Sequence, residues 1–208
     1  MVRHIVFDIE TKENLNEETE RELLAGIEPP KNYKDPKKIQ DFCKKAFEEK
    51  KQKAALSYLY GRICAIGLVE LGRPESKPAV LASDREGELL TEFASIVNSM
   101  GEPVIWCGFN IRMFDIPFLR FRLAANRIEL KEPFPIYKYD KNAFDLRDIL
   151  PNGSLNAILA ALGLPTKIAD GGDVATMSLK EVVEYNRGEM ELMRTAMMFF
   201  KQAIPHLA

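Results

Sequence analysis

Alternation at a period of two opens the chain. In Ile5-Val6-Phe7-Asp8-Ile9-Glu10 an apolar run ends in two carboxylates two residues apart. Side chains alternate across a strand, so Asp8 and Glu10 share one face while Ile5, Phe7 and Ile9 share the other. The pattern predicts a strand over residues 3–9 with paired acids at its tip. Residues 12–60 then lose strand character. Glu17 to Glu28 is mostly acidic and helical in pattern, and Pro29-Pro30 breaks it. From Pro36 to about Ala55, Ile39, Phe42, Cys43 and Ala46 recur at helical spacing among lysines, predicting a helix with one packed side.

Arg62 to Leu71 reads as a second strand, with Ile63, Ala65 and Gly67 on one face and Cys64, Ile66 and Leu68 on the other. A turn over Gly72–Ser76 leads into a third strand, Lys77 to Ala82. Ser83 or Asp84 is the expected cap of a helix reaching Met100, with Leu89, Leu90, Phe93 and Val97 turned inward. Pro103 to Cys107 is wholly apolar, as a strand at the buried centre of a sheet should be. A helix from about Met113 to Arg127 and a short strand at Phe144–Leu146 follow. Asp170-Gly171-Gly172-Asp173 reads as a turn before a helix. Three helices, Leu155–Leu162, Leu179–Asn186 and Glu189–Ala203, complete the set. The order predicts an α/β fold: a central mixed sheet of about five strands flanked by helices, with a helical insert at about residues 12–60 and a single domain over 1–208.

Composition narrows the chemistry. The chain is 46% hydrophobic and 29% charged, as ordinary globular domains are, and 208 residues suffice for a sizeable core. A formal net charge of −2 gives no global basic character, so affinity for nucleic acid must come from local patches. Cys43, Cys64 and Cys107 are widely spaced and odd in number, which argues against a disulfide framework or a zinc site. No stretch approaches membrane-spanning length and no leader pattern opens the chain, so a cytoplasmic protein without a membrane partner is expected.

Carboxylates are the candidate chemistry. Asp8 and Glu10, held together at the end of a buried strand, repel each other and lose hydration. A divalent cation is the simplest way to hold them. Taken alone, the pair reads equally as a strand running into a solvated acidic loop. Asn110-Ile111-Arg112-Met113-Phe114-Asp115 follows the apolar strand, and ligand sites in α/β sheets gather at such strand ends. A helix-start carboxylate complementing the helix dipole is the alternative for Asp115. Tyr185 and Glu189 are four residues apart and share a face if the helix is continuous through Gly188. An exposed face of an amphipathic helix is the alternative there.

In that order, Asp-x-Glu, Asn-x-x-x-Phe-Asp and Tyr-x-x-x-acid resemble the motifs of the DEDD family of 3′–5′ exonucleases, tyrosine subgroup. The chain is most similar to stand-alone exonucleases related to the proofreading domain of family-B DNA polymerases. Pro30 to Ile39, Gly61-Arg62-Ile63, Phe144 to Asp148, Ser154-Leu155 and Gly163-Leu164-Pro165 resemble the same group. The resemblance covers nearly the whole chain and implies a ribonuclease H-like fold. Such a domain would consume all 208 residues, leaving no room for a polymerase domain. The family has Asp where this chain has Glu189.

The resemblance implies a metal-dependent exonuclease acting on 3′ ends of single-stranded or frayed DNA, with two Mg²⁺ or Mn²⁺ ions about 3.5–4 Å apart. Asp8, Glu10, Asp115 and Glu189 would be the metal ligands. Tyr185 would orient the attacking water, since a phenol is a poor base at neutral pH. Thr11 and Asn110 would contact the terminal nucleotide and Phe114 would pack beside it. Between Lys31 and Lys53, nine lysines stand against Asp35, Asp41, Glu48 and Glu49, a patch suited to phosphates, or else a solvated helix face. Tyr33, Phe42, Phe47, Tyr58 and Tyr60 offer stacking faces for bases. A replication or repair protein as partner is left open. Two alternatives remain: a catalytically weak or inactive nucleic-acid-binding module, motivated by Glu189, and an exoribonuclease, because the motifs do not report on the sugar. Asp145 is expected to support the site structurally.

Overall fold

A computed structural model describes residues 2–73, 75–131, 134–135, 140–167 and 171–203. Pro74 in the expected turn after the second strand, and Asp170 in the one before a helix, lie outside the described residues. Five strands form one mixed sheet: β1 (Arg3–Glu13), β2 (Gly61–Glu70), β3 (Ala79–Ala82), β4 (Val104–Gly108) and β5 (Ala143–Asp145), in the order β3-β2-β1-β4-β5. β1 runs antiparallel to β2 and parallel to β4. A parallel neighbour needs a crossover, which α3 (Glu86–Ser99) supplies between β3 and β4. The expected α/β architecture is therefore present. The helical insert comprises α1 (Glu17–Ala25) and α2 (Pro36–Ala54).

The alternation of β1 sorts the core into two layers. Ile5, Phe7 and Ile9 face α3 and α4 (Asp115–Ala125), meeting Leu89, Leu90 and Phe93 from α3 and Phe118 and Leu119 from α4. Trp106 of β4 is fully buried in this layer, its ring edge-on to Phe7 at 5.3 Å. Val6, on the opposite face, meets Met190, Met193 and Met197 of α7 (Leu179–Ala203). The short helices α5 (Leu146–Ile149) and α6 (Leu155–Ala161) complete that side. Asp8 and Glu10 have the parity of Val6, so they look toward α7.

Four local expectations are corrected. β1 continues to Glu13, because β2 pairs with it through Glu13. Ile63 lies on the opposite face from Ala65 and Gly67: Glu10 pairs with Ala65 and Thr11 with Ile63, leaving Cys64 as an extra residue. That bulge inverts the parity beyond it and puts Ile63 in the layer of Ile66 and Leu68. Helix α3 is capped by neither Ser83 nor Asp84. Its N-cap is Arg85, Ser83 Oγ accepts from Arg85 N at 3.0 Å, and Asp84 pairs with Arg62 at 3.2 Å. The expected helices Leu179–Asn186 and Glu189–Ala203 are one helix, α7, through Gly188. A helical glycine costs about 1 kcal/mol. Burial of Met190, Met193 and Met197, each worth roughly 1.5–3 kcal/mol, outweighs it.

The two helices of the insert are tied to each other. Lys50 Nζ donates to the carbonyls of Leu23 (3.1 Å) and Gly26 (2.7 Å), capping α1 from α2. Ile39, Phe42, Cys43 and Ala46 are half-buried on one side of α2, while Lys34, Lys37, Lys38, Lys44 and Lys45 are exposed. Among the described residues no helix is long and apolar enough to cross a membrane.

Candidate active site

Small residues in β2 make room for the acids of β1. Asp8 lies opposite Gly67 and Glu10 opposite Ala65. Asn186 of α7 descends into that space and is fully buried. Its Nδ2 donates to Asp8 Oδ2 at 3.0 Å and to Glu10 Oε1 at 3.2 Å. Its Oδ1 lies over Gly67 with no hydrogen-bond partner among the described residues, and a Cβ at position 67 would overlap it. The close approach of helix to sheet thus requires glycine there.

Tyr185 and Glu189 share a turn of the same helix with Asn186, as continuity through Gly188 demands. One carboxylate oxygen each from Asp8, Glu10 and Glu189 lies within 4.8 Å of the others. The longer Glu side chain therefore still reaches the cluster. Tyr185 hydrogen-bonds Glu189 through its hydroxyl. Lys167, between α6 and α7, forms an ion pair with Glu189, and its ammonium lies 5.9 Å from the centroid of the Tyr185 ring.

Asp115 arrives from the other side of the sheet's end. β4 pairs with β1 only from Arg3 to Val6, so the N–H of Ile9 has no strand partner on that edge. Asp115 Oδ1 accepts it at 3.0 Å, fixing α4 to the acidic tip of β1. The preceding turn is locked by Asp145, which is buried and accepts from the N–H groups of Asn110 (2.7 Å), Arg112 (2.9 Å) and Arg147 (2.9 Å). Asn110 takes a left-handed conformation, φ 64°, which asparagine tolerates better than most residues. Asp145 is thus the support it was expected to be. Asp115 is outside the three-carboxylate group but faces the same cleft.

That cleft has a volume of about 190 Å³ and is lined by Asp8, Glu10, Thr11, Asn110, Phe114, Asp115, Tyr185 and Glu189, with Leu56, Phe109 and Lys167. Every site residue expected from the sequence therefore meets in one place. A larger groove of about 1220 Å³, between α4 and residues 140–142, contains none of the clustered acids. Sequence reasoning missed Asn186 and Lys167. The first is a polar residue beside Tyr185 facing a glycine in β2, a pairing that only the sheet register discloses. Lys167 follows the Gly163-Leu164-Pro165 segment and carries no motif of its own.

Burial dominates the electrostatics. It raises the Asp8 carboxyl well above the usual range, with Glu189, Glu10 and Asp115 adding repulsion. Glu10 is pushed up to about 8 by burial and by Glu189, against the Asn186 hydrogen bond and Lys167. Asp115 rises to about 7 by burial, opposed by the backbone hydrogen bond from Ile9. The Tyr185 phenol is held above its ordinary value by burial and the surrounding carboxylates. Without a cation these acids retain protons near neutrality. The donors are all hard oxygens converging from a strand and a helix, which fits Mg²⁺ or Mn²⁺.

Comparison with known proteins finds one family match and a similar fold. The family described as DNA polymerase family B, exonuclease domain, matches residues 2–145. That span holds Asp8, Glu10 and Asp115 and stops before Tyr185 and Glu189. The fold is similar to the structure of the family B DNA polymerase from the hyperthermophilic archaeon Pyrobaculum calidifontis, with a TM-score of 0.58 and 14% identity, over 99% of this chain. The chain spans about a quarter of that polymerase (25%), and at this identity the likeness is one of fold. No curated protein matches the chain.

Proposed function

We propose, on the premise that this chain belongs to the DNA polymerase family B exonuclease-domain family, that it removes nucleotides from the 3′ ends of single-stranded or frayed DNA by phosphodiester hydrolysis. One observation carries the reading: carboxylate oxygens of Asp8, Glu10 and Glu189 converge within 4.8 Å beside Tyr185, in a cleft shared with Asp115. Asp8, Glu10, Glu189 and Asp115 would hold two divalent ions. Such ions, when bound, supply an acidified water and charge neutralisation for a departing 3′ oxygen.

The chain's own residues do the rest. Tyr185 keeps its proton, because its surroundings raise its pKa, so it orients a water by hydrogen bonding and does not act as a base. Asn186 holds Asp8 and Glu10 in a fixed relation, bridging the half-buried carboxylate of the first and the buried one of the second. Thr11, Asn110 and Phe114 line the cleft, where they would receive the terminal nucleotide. The exposed lysines of α2 would engage backbone phosphates upstream of it, without sequence preference.

Incubation with a 5′-labelled strand and Mn²⁺, Mg²⁺ or chelator tests the reading. Stepwise shortening from the 3′ end, lost in chelator and in Asp8→Ala, supports it. One observation favours a second reading, a binding module without catalysis: Lys167 already neutralises Glu189. Salt-sensitive binding with no shortening under either metal would favour that module. Faster cleavage of RNA than DNA would move the substrate to RNA.

A further inference from the structure

We propose that Lys167 is the site's resident counterion: its ammonium competes with a divalent ion for Glu189, and metal loads fully only when Lys167 is displaced. The inference rests on the reading that the carboxylate cluster binds metal.

Four observations support it. The Lys167 ammonium is ion-paired with Glu189, a member of the three-carboxylate group. The pair is largely shielded from water, the Glu189 side chain being 7% exposed and that of Lys167 18%. Among the described residues lining the cleft, Lys167 is the one cationic side chain, against Asp8, Glu10, Asp115 and Glu189. Its backbone is held in place, with Lys167 N donating to Asn156 Oδ1 of α6 at 2.9 Å. The chain therefore presents this lysine to the cluster from a fixed anchor, while the flexible four-carbon stem leaves its head free to withdraw.

The physical consequence is competition. An ammonium and a divalent ion on the same carboxylate repel each other at short range, and a site shielded from water screens that repulsion poorly. A site with four carboxylates should bind a dication tightly, but one whose charge is already offset by its own lysine binds it less tightly. The same pair spares the metal-free protein an uncompensated buried carboxylate.

Mn²⁺ binding, followed without nucleic acid by the electron paramagnetic resonance signal of the free ion, tests this. The wild-type chain, Lys167→Met, Lys167→Arg and Asp8→Ala are compared, with melting temperatures in chelator and in Mn²⁺. Lys167→Met should bind Mn²⁺ at least roughly tenfold more tightly than the wild type, melt lower in chelator and gain more from added Mn²⁺. Lys167→Arg keeps the charge and should stay near wild type. Lys167→Gln gives the same readout if the methionine variant does not fold. Equal or weaker Mn²⁺ binding by a folded Lys167→Met or Lys167→Gln overturns the competition while leaving the metal site standing. Failure of every variant and the wild type to bind Mn²⁺ overturns the metal reading, and the competition with it.

Discussion

Asp8, Glu10 and Asp115 are carboxylates that the fold makes reluctant to ionise. Their pKa values are raised by burial, to about 8 for Glu10 and about 7 for Asp115. The folded chain thus holds protons that the unfolded chain releases above the ordinary carboxylate range near 4. This contribution to stability is fully present below that range and is lost as pH climbs through 7 to 8. In chelator, the stability difference between wild type and Asp115→Asn should shift against the wild type between pH 5 and pH 8. Mn²⁺ replaces those protons, so its affinity should rise over the same interval. Melting curves with and without Mn²⁺ across that range check both signs. Metal affinity that is flat with pH would mean that the carboxylates are already ionised. Asn186 is the residue whose loss should be felt without any metal. Asn186→Ala removes two hydrogen bonds to carboxylates, the one to Glu10 fully buried, and should cost about 1–3 kcal/mol in urea denaturation.

At the scale of elements, α7 and β2 form one device. Gly67→Ala places a methyl where Asn186 Oδ1 sits and should cost about 1–3 kcal/mol, with weakened Mn²⁺ binding. Gly188→Ala lies in a helix interior with open space around it and should stabilise by about 1 kcal/mol, leaving Mn²⁺ binding unchanged. Urea denaturation separates the two glycines. Their contrast also explains what was legible in the sequence. The apolar pattern disclosed all five strands, Pro103–Cys107 by an unbroken apolar run, and alternation disclosed the parity of Asp8 and Glu10, because one-sided burial enforces it. The pattern failed at Cys64, because a bulge depends on the pairing partner and leaves no mark in the strand's own pattern. It failed again at Gly188, where tertiary packing overrides a local helix-breaking signal. Asn186 and Lys167 stayed hidden for a related reason. A buried asparagine is informative only once its two acceptors, 176 and 178 residues away, are known to be beside it.

Over the whole molecule, charge is unevenly placed. A net charge of −2 conceals a lysine-rich insert helix and an acidic cleft. Substrate strands would be drawn to the first and cut at the second. Replacing Lys37 and Lys38 together by Gln should weaken single-strand binding for all sequences alike. The slope of log affinity against log salt should become shallower by roughly 0.7 for each phosphate that is no longer neutralised. Filter binding across a salt series measures it, and an unchanged slope would make those lysines merely a solvated face. The acids are tested by cleavage of a 5′-labelled single strand in Mn²⁺ by the wild type and by Asp8→Ala. The wild type should give a ladder shortening one nucleotide at a time from the 3′ end, and the variant should leave the strand intact. Equal ladders from both proteins, or none from the wild type, would be the opposite result.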